Sequence, residues 1–247
     1  MQVIRNDLGD GVVRLVLNRA PVNALTPPFL MEFASVLDAL AEEDGVRAVV
    51  LQSAFKVYSA GLDLKAAQSF SPEDQNAIVD ALNIGFLAQY RFPKPLVAAV
   101  NGAAIAGGLF FVLAADWRVS GPAAQFGLAE VRVGADFPIG PMEIARAELD
   151  PGDLRRLMLT GQPFPAPVAA ARGIVDHLCD AEEVEEAALA KARELAALPL
   201  ATFGRVKAQI RAPAIATIEV EMERLKTDPN RGWFDAETKS AMKRMIG

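Results

Sequence analysis

Residues 95–116 read Pro-Leu-Val-Ala-Ala-Val-Asn-Gly-Ala-Ala-Ile-Ala-Gly-Gly-Leu-Phe-Phe-Val-Leu-Ala-Ala-Asp. The run Pro95 to Val100 has the uninterrupted apolar character of a buried strand. Gly107-Gly108 then introduces a second uncharged run, Leu109 to Ala115, long enough for two turns of a fully buried helix. Glycines at a helix start leave the backbone N–H groups unshielded by any Cβ. Those first N–H groups lack intrahelical partners and sit at the positive end of the helix dipole. Such an end can hold an anion, or an oxygen that becomes one during a reaction. The glycines could equally serve only to let the helix pack close to the strand. A second stretch, Tyr58-Ser-Ala-Gly-Leu-Asp-Leu64, also follows a predicted strand and carries a small-residue turn. Two such turns can bring two N–H donors to one oxygen.

The flanking chain predicts an α/β organisation. Val12–Leu17 and Arg47–Gln52 read as strands, separated by a helix that opens at Thr26 with Pro27 at its first position and runs to about Glu43. This strand–helix–strand order suggests a covered parallel sheet. A short helix is expected from Leu62 to Gln68. Ser71-Pro72-Glu73-Asp74 begins a longer one that ends before Phe92-Pro93-Lys94-Pro95. Trp117–Ser120 and Ala124–Phe126 read as strands. Gly127 to Pro138 is turn-rich, with Glu130 and Asp136 as its acids. Beyond Pro141 the composition turns to Ala, Glu, Arg and Leu. Helices are expected at about 141–149, 151–159, 166–172, 181–197, 200–211, 214–226 and 231–245.

The composition narrows the function. The 247 residues are 52% apolar and 23% charged, with a net charge of −6, which disfavours a nucleic-acid footprint. No segment has the apolar length of a membrane span, and the first residues contain no signal-like apolar region. A cytoplasmic location is therefore expected. Cys179 and His177 are the only residues of their kinds, so neither an intramolecular disulfide nor a cysteine-based metal site is expected. His177 reads as a strand-edge residue. The hydrolase elbow and the common nucleotide-binding loops are absent.

Taken in order, Pro21-Val-Asn-Ala-Leu25, Tyr58–Leu64, Lys94-Pro95, Asn101-Gly102, Ala106-Gly-Gly108, Asp116 and Phe126-Gly-Leu-Ala-Glu130 resemble the enoyl-CoA hydratase/isomerase (crotonase) superfamily. The resemblance covers nearly the whole chain. It implies a spiral of β-β-α units in two roughly perpendicular sheets, with a core over 1–194 and a helical oligomerisation region over 195–247. It also implies an acyl-CoA thioester substrate, no metal or redox cofactor, and a homotrimer or a hexamer built as a dimer of trimers. By motif position the N–H groups of Leu62 and Gly107 form the oxyanion hole. Val22, Ala24, Leu25, Ala60, Gly61, Asp63, Leu64, Gly108 and Phe110 lie along the bound thioester. Lys56 is a candidate phosphate contact, with a solvated surface role as the alternative.

Hydratases of this family use two glutamates to activate water. Phe110 stands at the position of the first and Glu130 at the second. The resemblance therefore points to the single-glutamate Δ3,Δ2-enoyl-CoA isomerases, with Glu130 as proton shuttle. The alternatives are a hydratase or another acyl-CoA lyase, hydrolase or decarboxylase on the same scaffold, or a non-catalytic acyl-CoA- or RNA-binding relative. Pro138 occupies the place where dienoyl-CoA isomerases carry an aspartate. Asp136 beside it reads as structural, with a second acid that activates water together with Glu130 as the alternative, and Asp116 reads as structural. Pocket depth is expected to depend on side chains of the 66–90 region and on a neighbouring C-terminal helix such as the one holding Phe234.

Overall fold

The computed structural model describes residues 1–228 and 232–246. Its frame is a six-stranded sheet in the order β1-β2-β3-β4-β6-β9. The strands are β1 (Val3–Asp7), β2 (Val12–Leu17), β3 (Ala48–Ser53), β4 (Leu96–Val100), β6 (Trp117–Ser120) and β9 (His177–Leu178). The β1–β2 pair is antiparallel and all other pairs are parallel. A second sheet of three short strands runs β5 (Ala104–Ile105), β7 (Gln125–Gly127), β8 (Phe164–Pro165).

The central strands are mostly apolar, and β4 is apolar at every position, because both faces are covered. Val13, Leu15, Leu17, Val49, Leu51, Leu96, Ala98 and Val100 belong to the main core. Helices α1 (Pro27–Glu42), α3 (Pro72–Arg91), α4 (Phe110–Leu113) and α5 (Ile139–Glu148) supply the rest of that core, with α2 (Leu64–Ala67) a single turn before α3. Each large aliphatic side chain fully buried there contributes roughly 1.5–3 kcal/mol. The intervening residues Val12, Ala48, Val50, Val97, Ala99 and Val119 face the other way. They meet Val184, Ala188, Ala192 and Ala196 on one face of α8 (Val184–Ala196). Alanines at every fourth position let that helix lie close against the sheet.

Between these elements lie α6 (Pro151–Thr160) and α7 (Ala166–Ala171); α9 (Leu200–Lys226) and α10 (Ala236–Ile246) end the chain. The Ser71 start is a full capping box with Asp74. Thr26 caps α1 in an extended conformation, yet its side chain makes no cap hydrogen bond. Strand β1 is absent from the pattern-based reading: it is a half-exposed edge strand whose partner, β2, defines it.

The two helices expected at 200–211 and 214–226 are one. Pro213 lies inside α9, and the helix continues because Arg211, Ala214 and Ile218 are buried on either side of it. Those contacts outweigh the hydrogen bond that proline removes. The last expected helix, 231–245, begins at Ala236; residues 229–231 lie outside the described residues. Among the described residues no helix is long and apolar enough to cross a membrane.

Candidate active site

The parallel strands β2, β3, β4 and β6 all deliver their C-terminal ends to one side of the sheet. The loops that follow hold one another by backbone and side-chain bonds. Asn23 adopts a left-handed conformation (φ 48°) and is fully buried. Its Nδ2 donates to Ser53 Oγ (2.8 Å) and to Tyr58 O (2.9 Å). Ser59 Oγ donates back to Asn23 O at 2.8 Å. Ala60 N–H donates to Val22 O (3.0 Å) and Leu25 N–H to Gly61 O (2.7 Å). On its other side this segment pairs with the chain after β4, through Tyr58 N–H to Ala103 O (2.9 Å) and Ile105 N–H to Ser59 O (3.0 Å). Residues 58–62 are thus clamped between 22–25 and 103–105.

Ala106 has φ 52°, a left-handed conformation that strains a non-glycine residue. It turns the chain into a 3₁₀ turn, Ala106–Leu109, which leads into α4. The expected glycine-led α-helix is therefore shorter, and Gly107 and Gly108 lie within the 3₁₀ turn. Gly107 precedes the first N–H that such a turn bonds internally, so its amide is free of the helix ladder. The Leu25–Leu62 bridge uses the Leu25 N–H and the Gly61 carbonyl, leaving the Leu62 N–H outside that bond. Both residues line one cavity of about 90 Å³.

Glu130 lines the same cavity. It begins a 3₁₀ turn, Glu130–Val133, closed by Gly134 at φ 64°. The side chain is only 8% exposed, and its Oε2 has no hydrogen-bond partner. Burial pushes its pKa up to about 8, and no neighbouring charge contributes to the shift. The other lining side chains are apolar, including Leu25, Leu62, Leu82, Phe110 and Pro138. Phe110 is fully buried, 5.5 Å from the Phe86 ring and 6.5 Å from Phe137. Among the described residues a single buried carboxyl shares this apolar cavity with two residues whose amides lie outside the backbone ladder, a set that can move a proton on a carbon next to a carbonyl whose oxygen the amides receive.

The match to known proteins agrees with this arrangement. The family model described as enoyl-CoA hydratase/isomerase matches residues 7–232. The chain belongs to the enoyl-CoA hydratase/isomerase family. A probable enoyl-CoA hydratase EchA17 of Mycobacterium tuberculosis is 33% identical over 202 residues, covering 81% of this chain and 77% of the relative. The human mitochondrial enoyl-CoA delta isomerase 1 is 31% identical over 200 residues, covering 80% of this chain and 66% of the relative. Among solved structures, human mitochondrial delta3-delta2-enoyl-CoA isomerase superposes with TM-score 0.84 at 27% identity, covering 100% of this chain and 97% of that one. A probable enoyl-CoA hydratase EchA3 from M. tuberculosis gives 0.83 at 28% identity, covering 92% and 95%. The crotonase fold expected from the motifs is the fold observed.

Within this family member, the cavity gathers Leu25, Ala60, Leu62, Leu64, Gly107, Phe110 and Glu130 from the anticipated set. The remaining residues stand behind it or at its edge. Gly61 (φ 76°) makes the turn itself. Gly108 packs so closely on Ser59 that no Cβ fits there. Asp63 caps α2 through Ala66 N–H (3.2 Å) and pairs with Arg19 at 3.3 Å. Ala24 O accepts from Arg19 at 2.9 Å, and Val22 is half-buried. Lys56 is exposed, and so is Asp136, whose carboxylate is not part of the cavity lining. His177 is an exposed residue on the edge strand β9.

Trp233, Met242 and Met245 line the cavity from the C-terminal segment of the same chain, the region expected around Phe234, although none of the three was singled out in the sequence.

Proposed function

We propose that this enzyme is a Δ3,Δ2-enoyl-CoA isomerase in which Glu130 carries one proton from C2 to C4 of a 3-enoyl thioester. The observation behind the reading is that, among the described residues, Glu130 is the sole ionisable side chain lining the cavity that contains Leu62 and Gly107. Its carboxylate takes a proton from C2. The electron pair moves into the thioester carbonyl, giving a dienolate. The Leu62 and Gly107 N–H groups donate to the new oxyanion, and removing one such donor typically costs about 3–4 kcal/mol. The neutral Glu130 acid then returns the same proton at C4, and the double bond ends between C2 and C3. A pKa of about 8 suits this two-way transfer, because both protonation states are populated just above neutrality.

Phe110 supports isomerisation over hydration. It fills the place of a second glutamate and narrows the room for a nucleophilic water. Val22, Ala24, Leu25, Ala60 and Leu64 lie where the coenzyme A portion of the substrate would run, and we assign no further cofactor. A second reading, enoyl-CoA hydratase, is favoured by the name of the EchA17 relative. It requires a second water-activating group, and the cavity presents no second carboxylate among the described residues. Assembly as a trimer or hexamer through the 195–247 region fits the exposed Val206, Ile210 and Val220 of α9.

The test is turnover of trans-3-hexenoyl-CoA and crotonyl-CoA by the wild type and Glu130→Gln. Faster conversion of the 3-enoyl substrate, lost by about 10²-fold or more in the variant, supports the isomerase. Efficient hydration of crotonyl-CoA overturns it in favour of the hydratase.

A further inference from the structure

The cavity is lined on one side by the chain's own C-terminal segment, which is tied down at several points that the proton chemistry does not need. Gln75 Oε1, near the start of α3, accepts from Trp233 N–H (3.2 Å) and Phe234 N–H (2.9 Å). Gln75 is buried despite being polar. Thr238 Oγ1 donates to Gly134 O at 2.5 Å, on the residue that ends the Glu130 turn. The Trp233 indole N–H donates to Asp136 O at 2.9 Å. Its ring stacks on Phe234 (4.9 Å, 25° between planes), and Phe234 stacks on Phe70 (6.3 Å, 11°). Met242 is fully buried in a cluster with Ala67, Val133 and Ala135, whereas Met245, one turn on, is 47% exposed.

These side chains make a wall of two kinds. Trp233 is rigid, with its only polar atom satisfied outside the cavity. The thioethers are flexible and polarisable. Neither offers a hydrogen bond to a ligand, so the wall accepts only an apolar chain. We propose that Trp233 and Met242 select the length of an apolar acyl chain at this site, with Gln75 and Thr238 as the positioning residues that hold them in place. The inference rests on the acyl-thioester reading above but not on which reaction follows.

The test is calorimetric binding of saturated butanoyl-, hexanoyl-, octanoyl-, decanoyl- and dodecanoyl-CoA, which cannot turn over by isomerisation. The readout is the affinity ratio of the longest to the shortest thioester, since a general folding defect weakens all five together. Trp233→Ala or Met242→Ala is expected to raise that ratio at least tenfold over wild type. Thr238→Val is expected to move it in the same direction by releasing the wall. An unchanged ratio in both wall variants overturns the selection, and an unchanged ratio in Thr238→Val overturns the positioning role. If the wild type binds none of the five, the thioester reading itself falls, and the inference falls with it.

Discussion

Gly61 and Gly107 face each other so closely that a Cβ on Gly61 would lie 3.2 Å from the Gly107 nitrogen and 2.8 Å from the Ala106 Cβ. The two turns that carry the amide donors are thus spaced by the absence of a side chain. Gly61 also holds φ 76°, which an L-residue adopts with strain. Gly61→Ala should push the turns apart and lower kcat by about 10²–10³-fold, the usual cost of losing an oxyanion donor. Steady-state kinetics beside far-ultraviolet circular dichroism checks this; retained kcat in a folded variant would refute the role of the spacing.

Glu130 ties activity to pH. The base form is the ionised one, so kcat/KM for a 3-enoyl thioester should rise with pH and level off above about 8. A pH–rate profile that is flat between 6 and 9, on the order of three units, would exclude Glu130 as the base.

The same group makes the fold pH-dependent, with the opposite sense. Its folded pKa of about 8 lies above the unfolded value of 4.5, so the folded state holds a proton that the unfolded state releases. Stability is therefore highest below the unfolded value and falls as pH rises towards 8, by an amount on the order of 4–5 kcal/mol. Glu130→Gln should remove that slope and raise Tm at pH 8 while abolishing turnover. Thermal melts at pH 5 and 8 read this directly; an unchanged slope would mean that the carboxyl is not dehydrated in solution.

A buried ionic cluster anchors α9 to the sheet. Asp116 accepts Leu96 N–H (2.8 Å), Lys207 Nζ (2.7 Å) and Arg211 (3.1 Å). Arg211 also caps the carbonyls of Tyr90 and Ala115 at 2.8 and 3.2 Å. Glu148 pairs with Arg118 nearby. Burial pulls the Lys207 ammonium down to about 8 while Asp116 pulls it back. Asp116→Ala leaves two buried cations short of a partner and should cost about 3–5 kcal/mol in urea unfolding. Asp116→Ala combined with Lys207→Met should recover part of that loss. A loss below 1 kcal/mol, roughly the scale of an exposed pair, would show the cluster to be hydrated.

The sheet was legible because its inner strands β2, β3 and β4 are runs of mostly apolar residues, as a sheet covered on both faces requires. The long α3 was marked by Ser71-Pro72 and Asp74. Glu130 and the two glycine turns were recoverable only as parts of an ordered set of motifs. By itself Glu130 looks like a loop acid, because nothing local encodes that Phe110 and Leu62 will dry it. The continuity of α9 through Pro213 was hidden because the local rule favours a break and the opposing contacts come from distant elements. Of the C-terminal wall only the helix around Phe234 was legible, and its cavity-lining residues were hidden for the same reason. Gln75 and Trp233 are 158 positions apart, and no period in either segment announces their bond.

Trp233 and Met242 come from the same chain as Glu130. The wall and the proton carrier are therefore inherited by each copy as one piece. In a mixed population of Glu130→Gln and Trp233→Ala chains, no copy would then carry both an intact wall and an intact proton carrier. Mixing should therefore restore none of the wild-type chain-length preference, whereas sites that took their wall from an adjoining copy would regain it in part.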